Sequence, residues 1–190
     1  TKFRYDGAGN IVEQVRYAKP INITVPWYDE AFVFQLADQE GSAANVVEKK
    51  AYDAAQRLVW QSDGTGTVTQ LRYDGDGNVV RKVRFAAAVA AGRPPQEVLA
   101  TVGDLATDYV YDAAGRQTYM IGPDGAVVGS VYDRNGNLKQ RTGFAAAVVP
   151  PRAGAADSLY DRARVEAALS RQSADRTTTW AYDASDRQVL

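Results

Sequence analysis

Leu71-Arg72-Tyr73-Asp74-Gly75-Asp76-Gly77-Asn78-Val79 reads as strand, turn and strand. The Gly/Asp/Asn cluster supplies positive φ and local Asx hydrogen bonds, which is turn chemistry. Its flanks are rich in Val, Thr, Tyr and Leu, as strands prefer. Related strings recur along the chain. Tyr5, Tyr73 and Tyr132 open YDGAGN, YDGDGN and YDRNGN, while Tyr52, Tyr111 and Tyr182 open YDAAQR, YDAAGR and YDASDR. These are a GN type and a GR type. Two further Tyr-Asp pairs, at Tyr28 and Tyr160, lack the turn context.

The spacing makes this a repeat, which decides the architecture before any single element does. Tyr52 to Tyr73 is 21 residues and Tyr111 to Tyr132 is again 21, while Tyr52 to Tyr111 and Tyr73 to Tyr132 are both 59. Residues 52–85 slide onto 111–144 without a gap, placing Trp60 on Tyr119, Gly66 on Gly125 and Phe85 on Phe144. After each GN turn one face carries Ile11, Val15 and Tyr17, then Val79, Val83 and Phe85, then Leu138, Thr142 and Phe144. The other carries Gln14 and Arg16, then Lys82 and Arg84, then Lys139 and Arg141. A period of two with one wet face predicts a half-buried antiparallel sheet. QSDGTGT (61–67) and IGPDGA (121–126) supply a second turn within each pair, so the units chain into successive hairpins.

The predicted fold is therefore mainly β: repeated antiparallel hairpins in one curved, continuous sheet, a single repeat array over 1–190. Repeat units fall at about 1–17, 47–85, 107–144 and 178–190, and inserts at about 18–46, 86–106 and 145–177. In the third insert, Ser158 followed by Asp161 resembles a capping box, and Leu159 through Leu169 predicts a helix with Val165, Ala168 and Leu169 on one face. In the second, Pro95 suits a first helical position, Val98, Leu99 and Val102 form a stripe, and Gly103 ends it. The first, with Trp27, Phe32, Phe34 and Leu36, is ambiguous between helix and strand.

Composition narrows function. The chain has 22 basic and 23 acidic residues, a formal charge of −1, and neither cysteine nor histidine. The balance gives no footprint for a nucleic-acid binder. Without Cys or His there are no disulfides, thiolate nucleophiles, Cys/His zinc sites or histidine bases. Apolar stretches such as Ala86 to Ala91 are too short for a membrane span of roughly 20 residues, and no signal peptide is visible. The chain opens at Thr1 and stops at Leu190 inside the pattern, so a segment of something longer is expected.

The pattern resembles the YD-repeat, or RHS-repeat, family, on YDGAGN at 5–10, YDGDGN at 73–78, YDAAGR at 111–116 and YDRNGN at 132–137. The copies at 52 and 182 depart from it, with Gln56 and Asp186 where Gly115 sits. The resemblance implies a large bacterial secreted or cell-surface polypeptide, of the kind to which a branch of animal adhesion receptors is also similar. It implies repeats wound into a hollow β-shell that in many members encloses a C-terminal toxin freed by aspartyl self-cleavage. The cleaving core contains an Asp-Pro step, and here no proline follows an aspartate, so this segment is expected to be wall. Implied partners are neighbouring repeats of the same parent chain and an enclosed toxin. The cut strand edges favour edge-to-edge self-association.

Candidate sites are few. The repeat motif residues Tyr5, Asp6, Tyr52, Asp53, Tyr73, Asp74, Tyr111, Asp112, Tyr132, Asp133, Tyr182 and Asp183 are expected to be structural, the tyrosines packing and the aspartates accepting backbone N–H bonds. Asp74, Asp76 and Asn78 match the start of a calcium loop, but Lys82 and Phe85 stand at its ninth and twelfth positions, so a turn is expected. Asp104 with Asp108, and Asp157 with Asp161, are at helical spacing near element ends, with no His or Cys to join them in catalysis. No enzyme activity, cofactor or metal is expected. The aromatic series Tyr17, Phe85, Phe144, Trp60 and Tyr119 is either cross-strand packing or a sugar-stacking row. That row, or the inserts, carries the alternative reading, a carbohydrate- or receptor-binding adhesion module. Arg162, Arg164, Arg171 and Arg176, interleaved with Asp157, Asp161, Glu166 and Asp175, predict a solvated helix with i,i+4 pairs. Asn22-Ile23-Thr24 matches the N-glycosylation pattern, which would be idle in a bacterial protein.

Overall fold

A computed structural model describes residues 1–18, 45–90, 92–153 and 159–189. Eleven strands form one open antiparallel sheet whose strand order is the order of the sequence. They are β1 (Lys2–Tyr5), β2 (Ile11–Arg16), β3 (Val46–Tyr52), β4 (Leu58–Ser62), β5 (Thr67–Tyr73), β6 (Val79–Ala88), β7 (Leu105–Tyr111), β8 (Gln117–Ile121), β9 (Val127–Tyr132), β10 (Leu138–Gly143) and β11 (Arg176–Thr179). An isolated bridge, Tyr182 to Gln188, closes the last hairpin. The chain packs as two compact units. Unit 1 is Thr1–Gln70 with Phe85–Leu99, and unit 2 is Leu71–Arg84 with Ala100–Leu190.

Every hairpin turn has the same backbone. In YDGAGN the Gly9 N–H donates to the Asp6 carbonyl and the Asp6 N–H to the Asn10 carbonyl, with Gly9 at φ 87°. This is a type I turn closed by a left-handed residue. Gly77, Gly115 and Gly136 occupy that slot in three further copies, and Gln56 (φ 61°) and Asp186 (φ 57°) in the other two. Gln56 and Asp186 therefore keep the turn where the motif departs, at the steric cost a Cβ meets there. QSDGTGT and IGPDGA make the same turn, with Gly66 and Gly125 in the slot. The residue seven past the tyrosine is then an extra one in its strand: Val12, Val59, Thr118 and Lys139 each sit at a bulge in the ladder.

The inserts leave and re-enter the sheet through clamped mouths. The Ala18 N–H donates to Asn45 Oδ1 at 3.0 Å and the Ala145 N–H to Asp175 Oδ1 at 2.8 Å. Asp175 also accepts the Gln172 N–H, and its backbone bonds from Ala145 and Gln172 hold its carboxyl below the usual range. The ambiguous stretch of the first insert, with Trp27, Phe32, Phe34 and Leu36, and its Asn22-Ile23-Thr24 string lie outside the described residues. The second insert corrects one expectation. It forms only a 3-10 turn over Pro95–Glu97, whose cap Val98 is extended, and Leu99 and Val102 are exposed. Among the described residues nothing covers Leu99 or Val102, so little offsets the entropy of a longer helix.

The third insert forms α1 (Arg162–Ala168), later than expected, because Asp161 and not Ser158 is its cap: Asp161 Oδ1 accepts the Arg164 N–H at 2.7 Å. Val148, Tyr160 and Val165 of this insert are buried against Val110, Ile121 and Val127 of the sheet, with Tyr119, Phe144 and Leu169 around them. This is the core of unit 2. Unit 1 buries Val68 and stacks Trp60 on Phe85, with ring centroids 5.6 Å apart.

Candidate functional site

The repeated Tyr-Asp pair does two separate jobs. Each aspartate locks its own turn. Asp74 Oδ1 accepts the N–H groups of Asp76 (3.0 Å) and Asn78 (2.8 Å), and Oδ2 accepts Asn78 Nδ2 at 3.0 Å. Asp6 and Asp133 do the same with Asn10 and Asn137. In the GR type, Arg57, Arg116 and Arg187 bring Nε to within 2.8 Å of the second oxygens of Asp53, Asp112 and Asp183. The final Asn or Arg of the motif is thus the side-chain donor to the aspartate. These bonds lower the carboxyl pKa of all six. At Asp6, Asp53 and Asp183 the leading cause is a backbone N–H, and at Asp112 the Arg116 side chain. At Asp74 and Asp133 desolvation pushes upward as the largest single influence and the hydrogen bonds together overcome it. Both Asp74 oxygens are engaged by its own turn, as the turn reading of 74–78 requires.

Four of the six motif tyrosines reach back to the preceding repeat. The Tyr52 hydroxyl donates to the Ile11 carbonyl (3.1 Å), Tyr111 to Val79 (3.0 Å), Tyr132 to Gln117 (2.9 Å) and Tyr182 to Leu138 (3.0 Å). In every case the acceptor lies six residues past the preceding motif tyrosine, and Ile11, Gln117 and Leu138 each come one before a bulge. The β2–β3 ladder ends at Glu13 and Lys49, so the Ile11 carbonyl lies beyond it and the phenol takes the place of a strand donor. Three of these bonds span an insert, with separations of 41, 32 and 44 residues, and so hold register where the chain leaves the sheet. Burial first, then the charges of Tyr109 and Asp74, push the Tyr111 hydroxyl up, so it remains a donor at neutral pH.

Sequence reasoning missed the polar pairs beneath the inserts. Arg81 and Asp108 are cross-strand partners on β6 and β7, at 1% and 0% exposure, joined at 2.5 Å (Nε to Oδ1) and 2.7 Å (Nη2 to Oδ2). Asp108 thus belongs to a strand and an arginine, not to a carboxylate pair with Asp104, which caps Thr101. The third insert docks on this pair: Arg81 Nη1 donates to the Arg152 carbonyl at 3.1 Å, and the Tyr160 N–H donates to Asp108 Oδ2 at 3.2 Å. At the same register in unit 1, Glu13 faces Lys49 with charges reversed (3.2 Å), and Lys49 Nζ donates to the Gly92 carbonyl of the second insert. At the third occurrence Gln140 faces Thr179, a neutral pair. The signal was in the alternation, since Arg81 lies in phase with Val79 and Val83 on the apolar face, and a buried charge demands a partner.

Both described inserts begin with a strap that folds back onto a turn glycine. The Val89 N–H donates to the Gly66 carbonyl at 3.0 Å and the Val148 N–H to the Gly125 carbonyl at 2.9 Å. A Cβ on Gly66 would lie 2.3 Å from the Val89 oxygen, and on Gly125 2.0 Å from that of Val148. Of the arginine cluster only Arg162 and Arg164 lie on a helix, Arg162 pairing with Glu166 four residues on and Arg164 lying 4.5 Å over the Tyr160 ring, whereas Arg171 follows the helix and Arg176 opens β11. Asp161 is the helix cap, and Asp157 lies outside the described residues. Among the described residues no group of three metal-ligating side chains converges, and no helix is long and apolar enough to cross a membrane.

Among solved structures the chain is similar to a TcdB2-TccC3-TEV crystal structure, with a TM-score of 0.55 and 16% identity over 97% of this chain. It is also similar to the Photorhabdus luminescens Tc holotoxin pore, with a TM-score of 0.52 and 16% identity over 95% of this chain. The chain spans about 7% of the length of each of those chains. At that identity the likeness is one of fold, an RHS-like repeat sheet. No family model and no curated protein sequence matches the chain.

Proposed function

We propose that this chain is a wall segment of a large RHS/YD-repeat protein: a stretch of β-sheet that encloses or presents a polypeptide, such as a C-terminal toxin, with no chemical step of its own. The observation that carries this is the repeated tyrosine bond, which ties each hairpin to the one before it across intervening inserts. Such a design can extend a sheet repeat by repeat, and among the described residues its motif side chains are engaged in turns and register. The motif aspartates hold turns, the buried ion pair holds an insert, and the Trp60 ring stacks on Phe85. The fold likeness to toxin-complex chains many times longer supports a role as one part of a larger shell. Secretion, or display at the cell surface, follows from the same reading, and neighbouring repeats are the first partners.

The test compares the mass of the full-length parent under native and denaturing conditions. A particle that separates on denaturation into a long repeat chain and a C-terminal fragment is the expected result. One uncleaved chain in both conditions overturns enclosure of a freed toxin.

A further inference from the structure

The third insert covers one face of unit 2, and the other face is basic. Strand alternation buries Arg81 and Val83 toward the insert and sends Lys82 and Arg84 outward. Four strands away Arg141, and one strand further Arg176, point to the same outer face, with Lys139 at the bulge. All five are exposed, and none has a side-chain partner among the described residues. No strand of unit 2 offers a carboxylate there, since Asp108 faces the insert. The corresponding face of unit 1 is mixed, with Glu48 among Arg16 and Lys50.

Two further features define what fits. Between the cation groups runs a continuous cross-strand row, Tyr109–Met120–Val128–Gly143, ending at Arg176. The hairpin ends flanking the face carry Asp74, Asp112 and Asp133, whose lowered pKa values keep them ionised. A dense polyanion such as duplex DNA, with a charge about every 1.7 Å, would cross those carboxylates and leave most of its charge over apolar surface. Carboxylates held apart by apolar side chains would not. Four strand spacings are about 19 Å, which an extended chain covers in roughly six residues.

We propose that the outer face of unit 2 is a docking surface for an acidic polypeptide, lying extended across the strands with carboxylates about six residues apart and apolar side chains between them. The proposal stands apart from the shell reading: a wall around a neutral cargo keeps the surface, and an adhesion module would present the same one.

The experiment is fluorescence anisotropy on this chain with a labelled 20-residue peptide carrying glutamates at six-residue spacing among Val, Leu and Ser. Saturable binding that weakens steeply with salt is expected, as is a loss of at least about tenfold when the glutamates become glutamines. Lys82→Ser/Arg84→Ser and Arg141→Ser/Arg176→Ser should each lose about tenfold. Arg162→Ser, on the covered side, should change nothing. The substituted residues are exposed, and an unchanged thermal midpoint verifies the fold of each variant. Failure to saturate, equal binding of the glutamine peptide, or indifference to the four substitutions overturns the proposal. Tighter binding of heparin or duplex DNA through the same residues assigns the surface to a polyanion and equally overturns it.

Discussion

Arg81 and Asp108 face each other across β6 and β7 as a two-pronged ion pair without solvent, and together they hold the backbone of the third insert at Arg152 and Tyr160. Removing either partner strands the other charge, which costs about 3–5 kcal/mol. Arg81→Met or Asp108→Leu alone should therefore lower the urea midpoint of this chain sharply. The double variant should recover part of the loss, because two apolar side chains replace two desolvated charges. It still leaves the Tyr160 N–H and Arg152 carbonyl without these partners, so amide exchange at Tyr160 should remain accelerated. Slow exchange there in the double variant would count against the docking role.

The tyrosine bonds give a second test. Tyr111→Phe keeps the ring and deletes the donor to Val79, costing about 1 kcal/mol, the net value of one hydrogen bond. Tyr52→Phe should cost a similar amount, and the two should add, since their acceptors lie in different repeats. The check is the denaturant midpoint at constant slope.

Backbone strain supplies a third. Gln56 holds φ 61° where other copies place glycine, so Gln56→Gly should stabilise the chain by about 0.5–1 kcal/mol. Gly77→Ala should do the opposite by about 1–2 kcal/mol, although a Cβ at Gly77 meets nothing within 4 Å. Thermal midpoints of the two variants should move in opposite directions.

Gly125→Ala is a harsher change than Gly77→Ala. It adds to the same left-handed strain a collision with the Val148 carbonyl. The strap should lift, and exchange at the Val148 amide should rise well above that in the Gly77→Ala chain.

Acid should unfold the chain through its turns. All six motif aspartates are held below the ordinary aspartate range in the folded state. A carboxyl depressed in the folded state stabilises fully above its unfolded pKa and loses that contribution as pH falls through the folded one. Stability should thus be flat from neutral pH to about 5 and then decline below about pH 4. Asp74→Asn should flatten the decline while lowering the plateau.

The hairpins and their alternation were legible because each is a local property: a turn residue, a period of two. The carboxylate of Asp133 bonds within its own six residues, so its role could be read from them. The Arg81–Asp108 pair could not be read as readily, since its residues are 27 apart and its third partner, Arg152, is 71 from Arg81. Arg81 was nonetheless visible as a charge in phase with apolar neighbours. The Val98–Leu99–Val102 stripe misled for the converse reason: helical spacing describes a face, and folding requires something to bury it. Alternation also could not say which face the inserts cover, because an insert's path is set by distant glycines and carbonyls.

The tyrosine bonds and the strap share a direction: the Tyr52 hydroxyl donates to Ile11, Tyr111 to Val79, and the Val148 N–H to Gly125. In each, the acceptor carbonyl precedes its donor in the chain. On a ribosome, that carbonyl has emerged before its donor is made. The sheet can grow vectorially, one finished edge templating the next strand.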